Sequence, residues 1–224
     1  MTTGFQHELD FWKGFIQTDR FKQNWISDTP NPELQPESAG IILAEIEGKT
    51  RYKVLDLGSG VVSILRGTIP TKNLTACDPL ADKYREVFDY DAHKIKPPDC
   101  YQGENLGYND GQFDVVHISN AIDHTENPAA VLSEMERVCK NGGLILISGF
   151  VNEGEHERYK GLHQWNARLV EGIDENNHPL HVDQPAGRKG GFTIDARYNG
   201  KLVHAKTIRL ETGRDYFIYA YRPE

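Results

Sequence analysis

Apolar side chains recur every three or four positions near the start of the chain, at Leu9, Trp12, Phe15 and Ile16 and then at Phe21, Trp25 and Ile26. That spacing predicts one or two amphipathic helices over residues 5–26. Such helices either pack onto a sheet or cover a pocket as a lid, and the pattern alone leaves both open. Residues 28–36 hold Pro30, Pro32 and Pro36 and read as a loop, followed by a helix over 39–46. Short apolar runs then alternate with helical spacing. They predict strands near 52–57, 73–77, 99–102 and 113–118, with helices near 61–66 and 80–88. The strongest helix signal covers 128–140. Asn127 caps it, Pro128 suits the first turn, and Val131, Leu132, Met135, Val138 and Cys139 form one apolar face. Gly142 and Gly143 stop it, and Leu144 to Ser148 read as a fully buried strand. Parallel strands joined by crossovers make this an α/β chain with a doubly wound sheet.

The pattern changes after Phe150. Residues 151–163 are polar, residues 165–170 and 180–182 pair as a small hairpin around 173–177, and residues 185–191 read as a mobile glycine-rich loop. Residues 202–210 and 216–221 form a final antiparallel hairpin with its turn at 211–214. The expected organisation is one domain over 1–224. It has a helical cap at 1–48, a core at 49–150, an insertion at 151–192 and a closing hairpin at 193–224.

The strand near 52–57 runs into Asp56-Leu57-Gly58-Ser59-Gly60. Glycine lets backbone approach a ligand closely, and ligands bind at the carboxyl ends of strands in open α/β sheets. Asp78 stands at the end of the next strand, at a separation that suits a ribose. The dinucleotide fingerprint needs a third glycine where this chain has Ser63, and no phosphate-loop motif is present. No Lys or Arg follows in the turn until Arg66. An adenosine cofactor without phosphates therefore fits best, and Asp56 suits a cationic one.

Several segments together resemble the class I S-adenosylmethionine-dependent methyltransferases. Asp56-Leu57-Gly58-Ser59-Gly60 is similar to their first motif, and Cys77-Asp78-Pro79-Leu80 to the acidic end of their second strand. Gln102-Gly103-Glu104-Asn105-Leu106 resembles the adenine-side segment. Phe113-Asp114-Val115-Val116 with Asp123-His124 resembles the fourth strand and the turn after it. Arg137-Val138-Cys139-Lys140-Asn141-Gly142-Gly143 resembles a later family turn, with Asn141 in place of proline. These segments cover roughly residues 50–150. The resemblance implies a mostly parallel Rossmann-like sheet closed by an antiparallel C-terminal hairpin, and S-adenosylmethionine as cofactor. It implies cofactor contacts from Asp56, Gly58, Ser59, Gly60, Asp78, Pro79, Leu80, Gln102, Gly103, Glu104, Ser119 and Asn120.

Methyl transfer from a sulfonium needs alignment of donor and acceptor, and a hydroxyl acceptor must also lose a proton. Of nine histidines, His124 and His163 are the expected catalytic ones. His124 follows the strand near 113–118. His163 lies in Gly161-Leu162-His163-Gln164-Trp165-Asn166, a mix of amides and indole suited to sugar hydroxyls. Asp123 either orients His124 or caps a turn. His156 among Glu153, Glu155 and Glu157 reads as an exposed acidic segment, and no histidine spacing marks a metal site.

The formal net charge of −8 argues against binding nucleic acid, and no apolar run is long enough to cross a membrane. Three cysteines without metal-like spacing, and no signal peptide, point to the cytoplasm. The expected activity is O-methylation of a small-molecule or saccharide-like acceptor. One alternative is methylation of a phosphate-type oxygen, with Arg188-Lys189 supplying cations. Another is a catalytically inactive cofactor-binding module that regulates a partner.

Overall fold

The computed structural model describes residues 3–170, 178–184, 191–194 and 200–223. Three helices open the chain: α1 (Thr3–Phe15), α2 (Asp19–Asn24) and α3 (Pro36–Ile46). Four parallel strands follow, β1 (Val54–Leu57), β2 (Leu74–Cys77), β3 (Phe113–Ser119) and β4 (Cys139–Phe150). Single helical turns α4 (Ala81–Tyr84) and α5 (Tyr90–His93) lie between β2 and β3, and the longer α6 (Pro128–Val138) precedes β4. Another single turn, α7 (Glu153–His156), follows β4. A second, antiparallel sheet contains β5 (Asn166–Leu169), β6 (Leu180–Asp183) and β7 (Gly191–Ile194). The chain closes with β8 (Gly200–Arg209) and β9 (Asp215–Pro223). The main sheet has the order β2-β1-β3-β4-β9-β8, with β9 antiparallel to both neighbours. This is the expected mostly parallel α/β sheet with an antiparallel C-terminal hairpin.

The two faces of the sheet separate by alternation along each strand. Val116 and Ile118 of β3, Ile145 and Ile147 of β4, and Phe217, Tyr219 and Tyr221 of β9 pack with α6. Val115, Leu144, Leu146 and Ala220 face the other way, onto Ile42 and Ile46 of α3. The cap of α6 is as expected: the Asn127 side chain accepts from the Ala130 amide at 3.2 Å. A third cluster joins Leu9, Ile16, Phe21 and Trp25 of α1, α2 and the turn that follows to Val61, Val62, Tyr84 and Phe88. The N-terminal helices therefore sit over the segments that follow β1 and β2.

Two expected elements are replaced. Residues 61–66 form irregular turns rather than a helix. The Ser63 hydroxyl accepts from the Leu65 amide and donates to Asp56, so this stretch is held by side-chain bonds instead of a helical ladder. Residues 99–102 contribute two isolated bridges, Asp99 with Cys77 and Gln102 with Asn105, instead of a strand. Pro97 and Pro98 offer no amide to a ladder, which limits pairing there. The helix expected over 80–88 is regular only through Tyr84. The strand read at 144–148 extends over all of β4. β5 and β6 pair as expected, while their connection at 173–177, and the loop at 185–190 with Arg188 and Lys189, lie outside the described residues. β7 spans the boundary expected between insertion and closing hairpin.

Met135 is fully buried against this sheet. Met135→Ala is expected to lower unfolding free energy by about 2–5 kcal/mol. Chemical denaturation measures this, and a loss under about 1 kcal/mol would show that α6 does not close the core as described.

Candidate active site

The carboxyl ends of β1, β2 and β3 open into one cavity of about 520 Å³. All twelve residues expected at a cofactor line it, together with His124 and His163. Its size falls within the roughly 300–1,000 Å³ typical of small-molecule sites.

The turn after β1 is fixed from two sides. Gly58 and Gly60 have φ of 67° and 65°, where a side chain is strained. The Gly58 and Ser59 amides donate to the Cys77 carbonyl at 2.8 and 3.1 Å. The Gly60 amide donates to Asp78 Oδ2 at 2.9 Å, and the Leu80 amide donates to Asp78 Oδ1 at 2.9 Å. Burial pushes the Asp78 carboxyl up to about 6, against the two amide donors that favour its charge, and nearby Glu8 adds to the rise. Asp56 is also buried. It pairs with His117 Nδ1 at 2.7 Å and accepts from the Ser63 hydroxyl. Ser63, the residue in place of a third glycine, thus anchors the acid that opens the turn.

Other expected residues are partly engaged within the fold. Glu104 accepts from the Glu126 and Asn127 amides at 2.9 and 3.1 Å, tying the segment with Gln102 and Gly103 to the start of α6. Ser119 shares a hydrogen bond with the Tyr216 hydroxyl at 2.9 Å. Asn120 has φ of 50° and accepts from the Phe150 amide at 3.1 Å. Pro79 and Leu80 line the cavity at the end of β2.

His124 and His163 lie together although 39 residues apart: His124 Nε2 is 3.0 Å from His163 Nδ1. Asp123 Oδ2 is 2.7 Å from His163 Nδ1 and 3.6 Å from His124 Nε2. A turn of 3-10 helix over Ile122–His124 presents Asp123 and His124. The Gln164 amide donates to the Asp123 carbonyl at 2.9 Å, and Trp165 Nε1 donates to the Thr125 carbonyl at 2.8 Å, which docks His163 there. Burial works against charge on both Asp123 and His163, but attraction to His124 and then His163 prevails at Asp123, and the bond to Asp123 prevails at His163. The Asp123 carboxyl lies below its ordinary range and the His163 imidazole above its own. These three side chains form a donor set able to hold a metal ion. The separation of Asp123 and His163 along the chain gave no spacing from which to expect it.

The N-terminal helix supplies wall residues that motif reading missed. Phe5, Glu8, Phe11 and Trp12 line the cavity, so α1 both packs and covers. The Trp12 indole occupies the space a Gly60 side chain would need, with Cζ2 2.1 Å from an ideal Cβ there. Trp12 Nε1 donates to Glu8 Oε1 at 2.9 Å, while Glu8 Oε2 lies 4.0 Å from His124 Nδ1. The signal available in the sequence was the aromatic excess of residues 5–25. Glu153, Glu157 and Leu162 complete the far wall.

A profile of the methyltransferase domain matches residues 55–147, the segment that holds the glycine turn, Asp78 and the end of β3. Over this segment the chain is similar to the S-adenosylmethionine-dependent methyltransferases. An uncharacterized methyltransferase of Schizosaccharomyces pombe is 29% identical over 190 residues, covering 76% of this chain and 64% of that protein. The chain thus spans just under two thirds of that relative's length. Among solved structures, a S-adenosylmethionine-dependent methyltransferase from Clostridium acetobutylicum aligns with TM-score 0.52 and 12% identity, over 83% of this chain and 90% of that one. A methyltransferase from Thermotoga maritima, described as a possible histamine N-methyltransferase, aligns with TM-score 0.51 and 14% identity, over 99% of this chain and all of that one. At such identities the two structures show that the methyltransferase fold is shared.

Gly60→Ala places a side chain at positive φ and into Trp12. It is expected to destabilise the protein by more than about 1 kcal/mol. Adding Trp12→Ala should recover the steric part and leave the backbone part. Urea denaturation of the single and double variants checks this, and equal stability of Gly60→Ala and the wild type would contradict the close packing.

Proposed function

We propose that the chain transfers a methyl group from S-adenosylmethionine to an oxygen of a small-molecule or saccharide-like acceptor. One observation carries this reading: the glycine turn, Asp78 and the pair His124 and His163 open into a single cavity. The Asp78 carboxylate receives the ribose hydroxyls, and Asp56, Gly58, Ser59 and Gly60 form the floor beneath the nucleoside. Pro79 and Leu80, with Gln102, Gly103 and Glu104, flank the adenine, while Ser119 and Asn120 lie under the methionine part. When bound, the cofactor supplies an electrophilic methyl group on a cationic sulfur.

The wall suits that cation. Carboxylates of Glu8, Asp56, Asp78, Glu153 and Glu157 line the cavity, and no Lys or Arg lines it among the described residues. An ionised phosphate acceptor needs cationic partners, so the same wall favours a neutral, hydroxyl-bearing acceptor. His124 and His163 stand beside Asp123 and face the acceptor, where they serve to activate its hydroxyl. Apolar Phe11 and Leu162 help exclude water from the reacting atoms. No described helix is long and apolar enough to cross a membrane, and Cys77, Cys100 and Cys139 are free. The free thiols support a reducing cytoplasm as the place of action.

S-Adenosylhomocysteine is expected to bind in calorimetry and NAD to bind poorly. Asp78→Ala should weaken S-adenosylhomocysteine by about one to two decades, the loss of a charge-assisted hydrogen bond. The ribose hydroxyls favour the ionised carboxylate. Affinity should therefore be level above pH 7 and fall as pH drops through the Asp78 value of about 6. In Asp78→Ala that dependence should flatten. An unchanged dissociation constant in folded Asp78→Ala, or tight NAD binding without S-adenosylhomocysteine binding, would overturn the assignment. Transfer of labelled methyl groups into a pool of hydroxylated metabolites and nucleotide sugars identifies the acceptor.

A further inference from the structure

We propose that Asp123, His124 and His163 bind a divalent first-row transition-metal ion, zinc above all, at the acceptor side of the cavity. The three donor atoms Oδ2, Nε2 and Nδ1 form a triangle with edges of 2.7, 3.0 and 3.6 Å. Ligands of a four-coordinate zinc ion, at bond lengths of about 2.0–2.1 Å, stand about 3.3 Å apart, so little movement is needed. Without an ion, hydrogen bonds hold the three groups together, with His163 Nδ1 at 2.7 Å from Asp123 Oδ2 and 3.0 Å from His124 Nε2. An ion at the centre satisfies all three atoms.

Chemistry and surroundings select the kind of ion. Two imidazoles and one carboxylate suit zinc and its first-row neighbours better than magnesium or calcium, which favour all-oxygen shells. Three protein ligands with one position open to a cavity is the pattern of a catalytic rather than a structural zinc site. The second ring nitrogen of His124 lies 4.0 Å from Glu8 Oε2, which adds negative charge beside the site. Glu153 and Glu157 add negative charge near His163.

The binding of the ion stands on geometry alone, while its role rests on the methyl-transfer reading. There, the acceptor hydroxyl takes the open position and releases its proton to water. The resulting oxygen anion forms the new C–O bond as the sulfur–methyl bond breaks, leaving the methyl ether and neutral S-adenosylhomocysteine. The histidines then act as ligands, and the ion's charge lowers the hydroxyl's proton affinity.

The test titrates Zn²⁺ by calorimetry, and Co²⁺ by visible absorption, into chelator-stripped protein. One ion per chain is expected, with the intense bands of four-coordinate Co²⁺. Asp123→Asn and His163→Gln should each weaken zinc by more than the roughly 10–100-fold that loss of an outer partner brings. His156→Gln, outside the cavity, should leave it unchanged. If a variant fails to fold, imidazole NMR of the wild type decides, because zinc must shift the rings of His124 and His163. No stoichiometric zinc, undiminished zinc in folded variants, or shifts confined to other histidines would overturn the site. S-Adenosylhomocysteine binding is measured on the same samples. Its presence without zinc removes only the metal, and zinc without it removes only the methyl-transfer role.

Discussion

Two backbone amides converging on the Asp78 carboxylate fix the shape of everything around the cavity. The Gly60 amide comes from the turn after β1, and the Leu80 amide from the turn after β2. Among the described residues, no α-helix stands between β1 and β2 to hold the turn after β1 from behind. The buried acid does that work instead, joining two strand ends that only backbone ladders would otherwise align. Leaving either amide unpaired in the interior would cost about 1–3 kcal/mol. The Asp56, His117 and Ser63 bonds perform the same service one layer deeper.

Such a construction keeps negative charge under a cavity that also receives Glu8 from α1. Desolvation raises the proton affinity of Asp78 and makes the ligand-free carboxylate costly to keep ionised. A ligand that donates hydroxyls and carries positive charge relieves that cost. On the proposed reading, stability of the empty site is exchanged for affinity. The aromatic helix α1 completes the enclosure, since Trp12 fits only because residue 60 is glycine.

Much of this was legible in the sequence because the strands are short, fully apolar runs with turn residues at their ends. The glycine turn, Asp78 and α6 declare themselves through local chemistry: positive φ, strand-end position and a capping asparagine. The stretch at 61–66 misled because Val61, Val62, Ile64 and Leu65 have helical spacing, yet Val61 and Val62 pack with the N-terminal helices, Leu65 packs on the α3 side, and Ser63 turns inward to Asp56. Residues 99–102 look like a strand by composition but follow two prolines. The convergence of His163 on His124 was invisible for a different reason. It depends on docking of residues 161–165 against residues 123–125, through Gln164 and Trp165, and tertiary docking leaves no period in the sequence. Phe5, Glu8 and Trp12 were readable as one helix face, but not as the wall of a pocket formed by distant strand ends.

The most direct measurement is a crystal structure with S-adenosylhomocysteine. The expected result places the ribose hydroxyls on the Asp78 carboxylate, the nucleoside over Gly58 to Gly60, and the sulfur toward the side of the cavity that holds His124 and His163. Ligand density elsewhere, or a ribose turned away from Asp78 in this cavity, would contradict the assignment of the strand ends as the cofactor site.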